Sequence, residues 1–544
     1  MTHLTRSLVL GCSVLALTAC GPDDIVSPGT GGNVIINNPP APAPTPTPTP
    51  TPPATVSPAA GCPTIADPQG LTDSGTISGP TGTWRVCTLP RVITASSTLP
   101  KVAGLLYQMN GRVDVGCDGG FSPPTAAAPH TTSTLGACAP GTPAQPRVLS
   151  ADTNVNLTIA AGAILFGGTG QSWLAVNRGN RITATGTATQ PIIFTSRDNV
   201  LGLNDDNSQG QWGGVVLMGR GRVTDCTTGS VAGGTCERQT EGAPDPARFG
   251  GADDTYNAGR MSYVQVRFSG FILGSNVELQ SLTPEGIGSG TVLDHFQSFN
   301  SSDDGIEFFG GVPQMKHLIV TGADDDSLDV DVGARADFQH VLLIQRPGDN
   351  DALFEVDSNG NEADTPRTRL RVANLVGLQS QVSSENESSN QASMMFRGNS
   401  DTTLVNSVIV TPNNECLRLH GSGGANAATF TARSVVMQCN ATKYIGTGSY
   451  TAATVAAAFG HGTNNNSDAH TSTLTSLFVN GANEDAVAAF DASTLSTFFD
   501  VPSPNRIGAA WTGNNAWYTQ WTCNSSYANF GTGNSGDCTS LPMT

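Results

Sequence analysis

The chain has 544 residues, of which 13% are charged and 6% aromatic, with 63 glycines and 34 prolines. So few charged residues and so much Gly and Pro exclude a coiled coil or a helical bundle. A net charge of −18 excludes nucleic acid and an anionic membrane surface as non-specific partners. What remains is a β protein rich in Gly, Asn, Ser and Thr.

Residues 1–19 read as a signal peptide. Arg6 supplies the positive region, and the apolar run from Leu8 to Leu17 is too short to span a bilayer. It ends in Leu17-Thr18-Ala19-Cys20, the pattern of a bacterial lipobox, in which Cys20 becomes the lipidated first residue of the mature chain. Gly21 rather than Asp follows. The expectation is therefore an outer-membrane lipoprotein, surface-exposed or released, with Cys20 inserted in the lipid. Residues 20–60 form a Pro/Thr-rich stalk, because a Thr-Pro alternation packs no core and favours polyproline II. At ~3 Å per residue its roughly 40 residues reach about 100 Å when extended.

Of 12 cysteines, Cys12 falls in the leader and Cys20 takes the lipid. The other ten lie in neighbouring couples, and five disulfides are expected: Cys62/Cys87, Cys117/Cys138, Cys226/Cys236, Cys416/Cys439 and Cys523/Cys538. Such pairing fits an oxidising compartment. No couple has C-x-x-C spacing, which argues against zinc and thioredoxin-like chemistry.

Residues 61–148 read as a disulfide-stapled N-terminal region. From 149 to 480 short β-branched runs recur between Gly, Asn and Asp, at 154–159, 192–195, 212–219, 263–268, 292–299, 306–309, 318–320, 328–332, 341–344, 353–356, 370–375, 404–410 and 435–437. They have strand length and period-two character. Asp303-Asp304-Gly305-Ile306-Glu307-Phe308-Phe309 repeats 22 residues on as Asp325-Asp326-Ser327-Leu328-Asp329-Val330-Asp331, and more loosely as Asn350-Asp351-Ala352-Leu353-Phe354-Glu355. A repeat of this size without a helix predicts an all-β fold, one coil of a parallel β-helix per repeat. Ile306, Leu328 and Leu353 would then stack as an inward ladder. An antiparallel sandwich or a propeller is the alternative.

Residues 481–544 are expected to form a small helical and aromatic C-terminal cap. Residues 484–500 have helical character and would cover one open end of the coil stack. Trp511, Trp517, Tyr518, Trp521, Tyr527 and Phe530 follow. They are read as a hydrophobic cap held by Cys523/Cys538, in preference to a platform for sugars.

Gly186-Thr187 with Pro191-Ile192-Ile193-Phe194-Thr195, then Gln211-Trp212-Gly213-Gly214-Val215 and 303–311, resembles the coil signature of secreted bacterial right-handed parallel β-helix proteins. Phe498-Phe499, Ile507-Gly508-Ala509 and 517–522 look like the C-terminal closure of the same lipoproteins. The resemblance covers roughly residues 150–525. It implies a surface-exposed or released lipoprotein of Gram-negative bacteria that contacts polymers or captures nutrients. A looser similarity is to the extracellular lipoproteins of phosphate-starved stalked alphaproteobacteria. Neither resemblance carries a set of catalytic residues.

The densest polar group is acidic: Asp303, Asp304 and Glu307 on one coil, Asp325, Asp326 and Asp329 on the next, with Asp324 and Asp331 beside them. Coils stack at ~4.8 Å, so these carboxylates must stay solvated, share protons or hold a cation. Calcium, with its many flexible oxygen ligands, is the candidate metal; a solvated acidic corner is the plainer reading. The favoured function is a non-enzymatic binding or structural rod that contacts polysaccharide, a surface or an outer-membrane receptor, in nutrient uptake such as that of phosphate. The alternative is a calcium-dependent polysaccharide lyase or glycosidase of the pectin-lyase-like fold. Gly460-His461-Gly462 superficially matches a polygalacturonase string, and Arg267, Arg335 or Arg397 would serve as the base. No Gly-x-Ser-x-Gly elbow and no His-Glu-x-x-His site is present.

Overall fold

Consecutive strands stack in register rather than turning back on one another. In this computed structural model Val292–Phe299 pairs parallel with Gln314–Thr321, Leu293 opposite Met315. Ile306–Phe309 pairs parallel with Leu328–Asp331, Ile306 opposite Leu328. Both steps span the 22 residues of the sequence repeat, so one repeat is one coil. Two sheets of 15 and 11 strands result. The smaller runs parallel from Val92–Ile93 to Tyr444–Gly448. The larger opens with one antiparallel hairpin, Thr72–Gly79 with Gly82–Thr88, and is parallel from there to Thr429–Cys439. The protein is a parallel β-helix. The structure describes residues 55–544 apart from 135–137, 139–145, 242, 244–246, 273–277, 349, 359–362, 384–390, 422–425, 515, 532–534 and 544. The leader, Cys20 and stalk residues 20–54 lie outside the described residues.

The larger sheet bends around a corner. Tyr263, His295, His317, His340, Asn374, Asn406 and Ser434 occupy one register position on seven coils, each with φ between 49° and 59°. A left-handed residue there turns the strand onto a new wall. Gly259–Arg267 accordingly pairs with two separate strands, Arg181–Thr185 before the bend and Ile192–Ser196 after it. Asn, and among the larger side chains His, tolerate this conformation, whereas Tyr is costlier there.

Alternation fills the interior. Ile306 and Phe308, Leu328 and Val330, Phe354 and Val356 are all fully buried in one core. Burying each such side chain stabilises the fold by roughly 1.5–3 kcal/mol. The ladder differs from the expected one at one position. Leu328 lies opposite Phe354, not Leu353. The third repeat carries one more residue, and the turn ahead of the strand absorbs it; Leu353 remains buried there.

Coils also begin ahead of residue 149. Gly82–Thr88 pairs parallel with Leu105–Met109, and Val92–Ile93 with Arg112–Val115. Several of these strands have only two to four residues, too few to register a period. The five disulfides join Cys62–Cys87, Cys117–Cys138, Cys226–Cys236, Cys416–Cys439 and Cys523–Cys538.

The C-terminal end of the coil stack is covered by the helix Ala452–Phe459, whose Val455 and Phe459 enter the core. Thr451 caps its first turn, accepting from the Thr454 N–H. Residues 484–500 do not supply that cover. They hold only the end of the short helix Ala482–Asp485 and the 3-10 turn Ala492–Thr494. The segment beyond them lies along the flank of the rod. Trp517, Tyr518, Trp521 and Phe530 pack on the outward Ile319, Leu342, Val376, Val408 and Val436 of the larger sheet. Leu541 packs much nearer the N-terminal end, with Trp84, Leu106 and Ile193. Outward apolar residues over so many coils demanded a cover, and the tail provides it lengthwise.

Candidate functional site

The acidic face lies on the smaller sheet. Ile306 and Phe308 point inward, so Glu307 points out; Asp329 and Glu355 lie opposite it on the next two coils. Stacking therefore sets three outward carboxylates in file at ~4.8 Å spacing. Just ahead of each strand the chain turns, and a second file forms. The Asp326 N–H donates to Asp304 Oδ1 at 3.0 Å, and the Ala352 N–H donates to Asp326 Oδ1 at 2.9 Å. Each corner carboxylate thus ties down the equivalent backbone position one coil on. Ala352 ends the file.

Three overlapping groups place one ligand oxygen per residue within 4.8 Å of one another: Asp303, Asp304 and Asp325; Asp304, Glu307 and Asp329; Asp325, Asp326 and Asp351. All six residues expected from the sequence are brought together, and Asp351 joins them. Gln280 Nε2 bridges two of them, donating to Asp303 Oδ2 at 3.0 Å and Glu307 Oε2 at 2.7 Å. Asp329 Oδ1 is buried with no hydrogen-bond partner.

The electrostatics follow from crowding. Burial first, and neighbouring carboxylates second, push Asp303, Asp304, Glu307, Asp326 and Asp329 well above the ordinary carboxylate range. The same causes raise Asp331 to about 7 and, though Arg397 opposes it, Glu355 to about 8. Two cations border the group. Arg397 Nη1 is 2.6 Å from Glu355 Oε1 and 3.3 Å from Asp357 Oδ2, and Arg346 Nη2 is 2.7 Å from Asp324 Oδ1. At neutral pH such a cluster takes up protons or accepts a cation. Its chemistry is all oxygen, and it includes the orphaned carboxylate oxygen Asp329 Oδ1. That donor set fits a hard divalent ion such as calcium.

The other sequence candidates lie elsewhere. Arg267 is fully buried beneath the tail, donating to the carbonyls of Cys538 and Ser540 and to Gln265. Arg335 pairs with Asp254 at 2.6 Å, away from the acids. Of the three proposed bases only Arg397 borders the site, and its carboxylate partners raise its pKa against the opposing effect of burial, which makes it a poorer base. Gly460-His461-Gly462 is a helix-ending turn. Gly460 and Gly462 have φ of 70° and 74°, and His461 Nδ1 is 3.0 Å from Asp468 Oδ1. It follows the strand Tyr444–Gly448, five coil steps beyond Ile306–Phe309, about 24 Å along the axis at ~4.8 Å per step. The tail aromatics face inward, Trp521 with no exposure at all and Trp517 with 7%, so they form a cover.

Asp351, Glu355 and Gln280 were not singled out from the sequence as site residues. Asp351 and Glu355 belong to the loosest repeat copy, and aligning that copy in register would have found them. Gln280 comes from the preceding coil, which the acidic repeat does not reach.

A family model described as a pectate-lyase-like β-helix domain matches residues 147–521. No curated protein and no solved structure matches the chain. The match spans more than half of the 544 residues and every coil that builds the acidic face, and on that ground the chain belongs to the pectate-lyase-like β-helix domain family.

Proposed function

We propose that this protein is a calcium-dependent binding rod for acidic polymers at a bacterial cell surface. The observation that carries the reading is the file of outward carboxylates on three consecutive coils, crowded enough to hold protons at neutral pH. A calcium ion there would be held by Asp303, Asp304, Glu307, Asp325, Asp326 and Asp329. Bound calcium keeps exchangeable ligand positions, which uronate or phosphate oxygens of a polymer would occupy. The lipobox at Cys20 and the Pro/Thr stalk support an outer-membrane anchor with the rod held outward, on the surface or released. Nutrient acquisition, phosphate included, and delivery to an outer-membrane receptor fit that placement.

The second reading is a calcium-dependent lyase or glycosidase, favoured by the family and by Arg397 beside the acids. The hold of Glu355 and Asp357 on the Arg397 proton argues against it. Calorimetry with calcium on the purified chain, and on Asp304→Asn and Asp326→Asn, is the test. Calcium binding that both variants weaken is expected, and its absence from all three forms overturns the proposal. Incubation with pectins, alginates and phosphate esters separates the readings. Binding without product supports the rod, and turnover establishes the enzyme.

A further inference from the structure

Away from the acidic strands, the bend of the larger sheet carries aromatic and imidazole rings where other coils carry Asn or Ser. Tyr263 and His295 stack with centroids 4.2 Å apart, His295 and His317 follow at 4.1 Å, and His317 and His340 at 5.2 Å with planes 3° from parallel. Asp294 stands beside this column. Its Oδ2 is 2.8 Å from His295 Nδ1 and its Oδ1 is 2.7 Å from His317 Nδ1. One ligand atom from each of the three lies within 4.8 Å of the others. Two nitrogens and a carboxylate are the donor set of a borderline divalent ion, with bonds of about 2.0–2.2 Å. The oxygen-only acidic face is a different kind of site.

We infer that Asp294, His295 and His317 form a second metal site, one that takes a zinc-class divalent transition-metal ion. The site is open on one side. The side chain of Asp294 is 29% exposed and that of His317 22%, so a water or an outside ligand completes the coordination. Nδ1 of each imidazole donates to Asp294 before the ion arrives; on binding, that proton passes through solvent to Nε2, and the Nδ1 lone pair takes the metal. Net charge on each ring is unchanged. His340 Nδ1, next on the column, is buried without a hydrogen-bond partner. The column therefore carries more nitrogen than the protein itself satisfies.

The tail makes the site observable. Trp521 lies 5.7 Å from the His295 ring and Trp517 5.5 Å from the His317 ring. The experiment titrates Co2+ into the purified full-length chain, following visible d–d absorption and tryptophan emission. One equivalent is expected to give the absorption of a four- or five-coordinate nitrogen and oxygen site and to quench emission. Zn2+ should displace it and Ca2+ should not. Asp294→Asn and His317→Gln should weaken Co2+ at least tenfold, while Asp304→Asn leaves it unchanged. No band in the native protein, a band that survives in a folded Asp294→Asn/His317→Gln double variant, or a band lost in Asp304→Asn overturns the assignment. Imidazole 15N spectra of the unmutated chain with Zn2+ give an answer independent of folding. Shifts at His295 and His317 are expected, and shifts confined to His130, His420, His461 or His470 refute the site.

Discussion

The same coils present two contrasting flanks. On the larger sheet Ile319 and Leu342 point outward and are sealed by Trp517, Trp521 and Phe530. On the smaller sheet Glu307, Asp329 and Glu355 point outward in the same parallel stacking. Parallel pairing repeats each outward position every ~4.8 Å, so a single preference is multiplied along the rod. Repeated apolar positions call for a protein cover. Repeated carboxylates call for protons or a cation. The backbone is common to both flanks, and the outward residues alone decide which becomes structure and which becomes a site.

The largest break in this contrast should come from the sealed flank. Trp521 is fully buried, and its Nε1 donates to the Trp517 carbonyl at 2.7 Å. Trp521→Ala is expected to cost about 3–5 kcal/mol, measured by denaturant unfolding, with the tail becoming the first site of proteolysis. A loss under about 1 kcal/mol would mean that the tail is not integral to the rod. Next comes the staple within the tail. Cys523 and Cys538 close a loop of 15 residues, so a Cys523→Ser/Cys538→Ser double variant should lose about 3 kcal/mol while leaving calcium binding untouched.

The acidic flank should respond to pH in the opposite sense from a protein held by ion pairs. Its carboxyls bind protons more tightly when folded than the ordinary value near 4 of the unfolded chain. Stability from this source is complete below about pH 4 and is lost as pH rises through about 7 for Asp331 and about 8 for Glu355. In chelator, the melting temperature should fall between pH 5 and 8 as set by these groups, and calcium should restore it. A melting temperature that climbs over that window in chelator would refute the crowding argument. The smallest effect is the sharpest. Glu355→Gln should stabilise the cation-free protein at pH 8, by an amount that the lost Arg397 ion pair keeps small, and weaken calcium at the same time. Gain in both would separate the charge from the site.

Much of this was legible in the chain. The 22-residue repeat gave the coil, its alternation gave Ile306 and Leu328 as core, and the outward Glu307 and Asp329 followed from the same period. The third copy misled by one residue, because register is set by hydrogen-bonded strands and not by the length of the turn before them. The early coils escaped because strands of two to four residues have no measurable period. His295 and His317 escaped because they are 22 positions apart and isolated in sequence; only coil stacking makes them neighbours.

The sequence alone determined the local rules: which positions face inward, where the chain turns, and which cysteines are near enough to pair. Those depend on contacts within a coil or between successive coils. Tertiary structure decided where the C-terminal segment lies, that Arg267 is locked beneath it, and that Asp294 meets two imidazoles. These depend on surfaces built from many coils at once. An outward valine on one strand is unremarkable, and a flank of them is a docking face that exists only after the rod has formed.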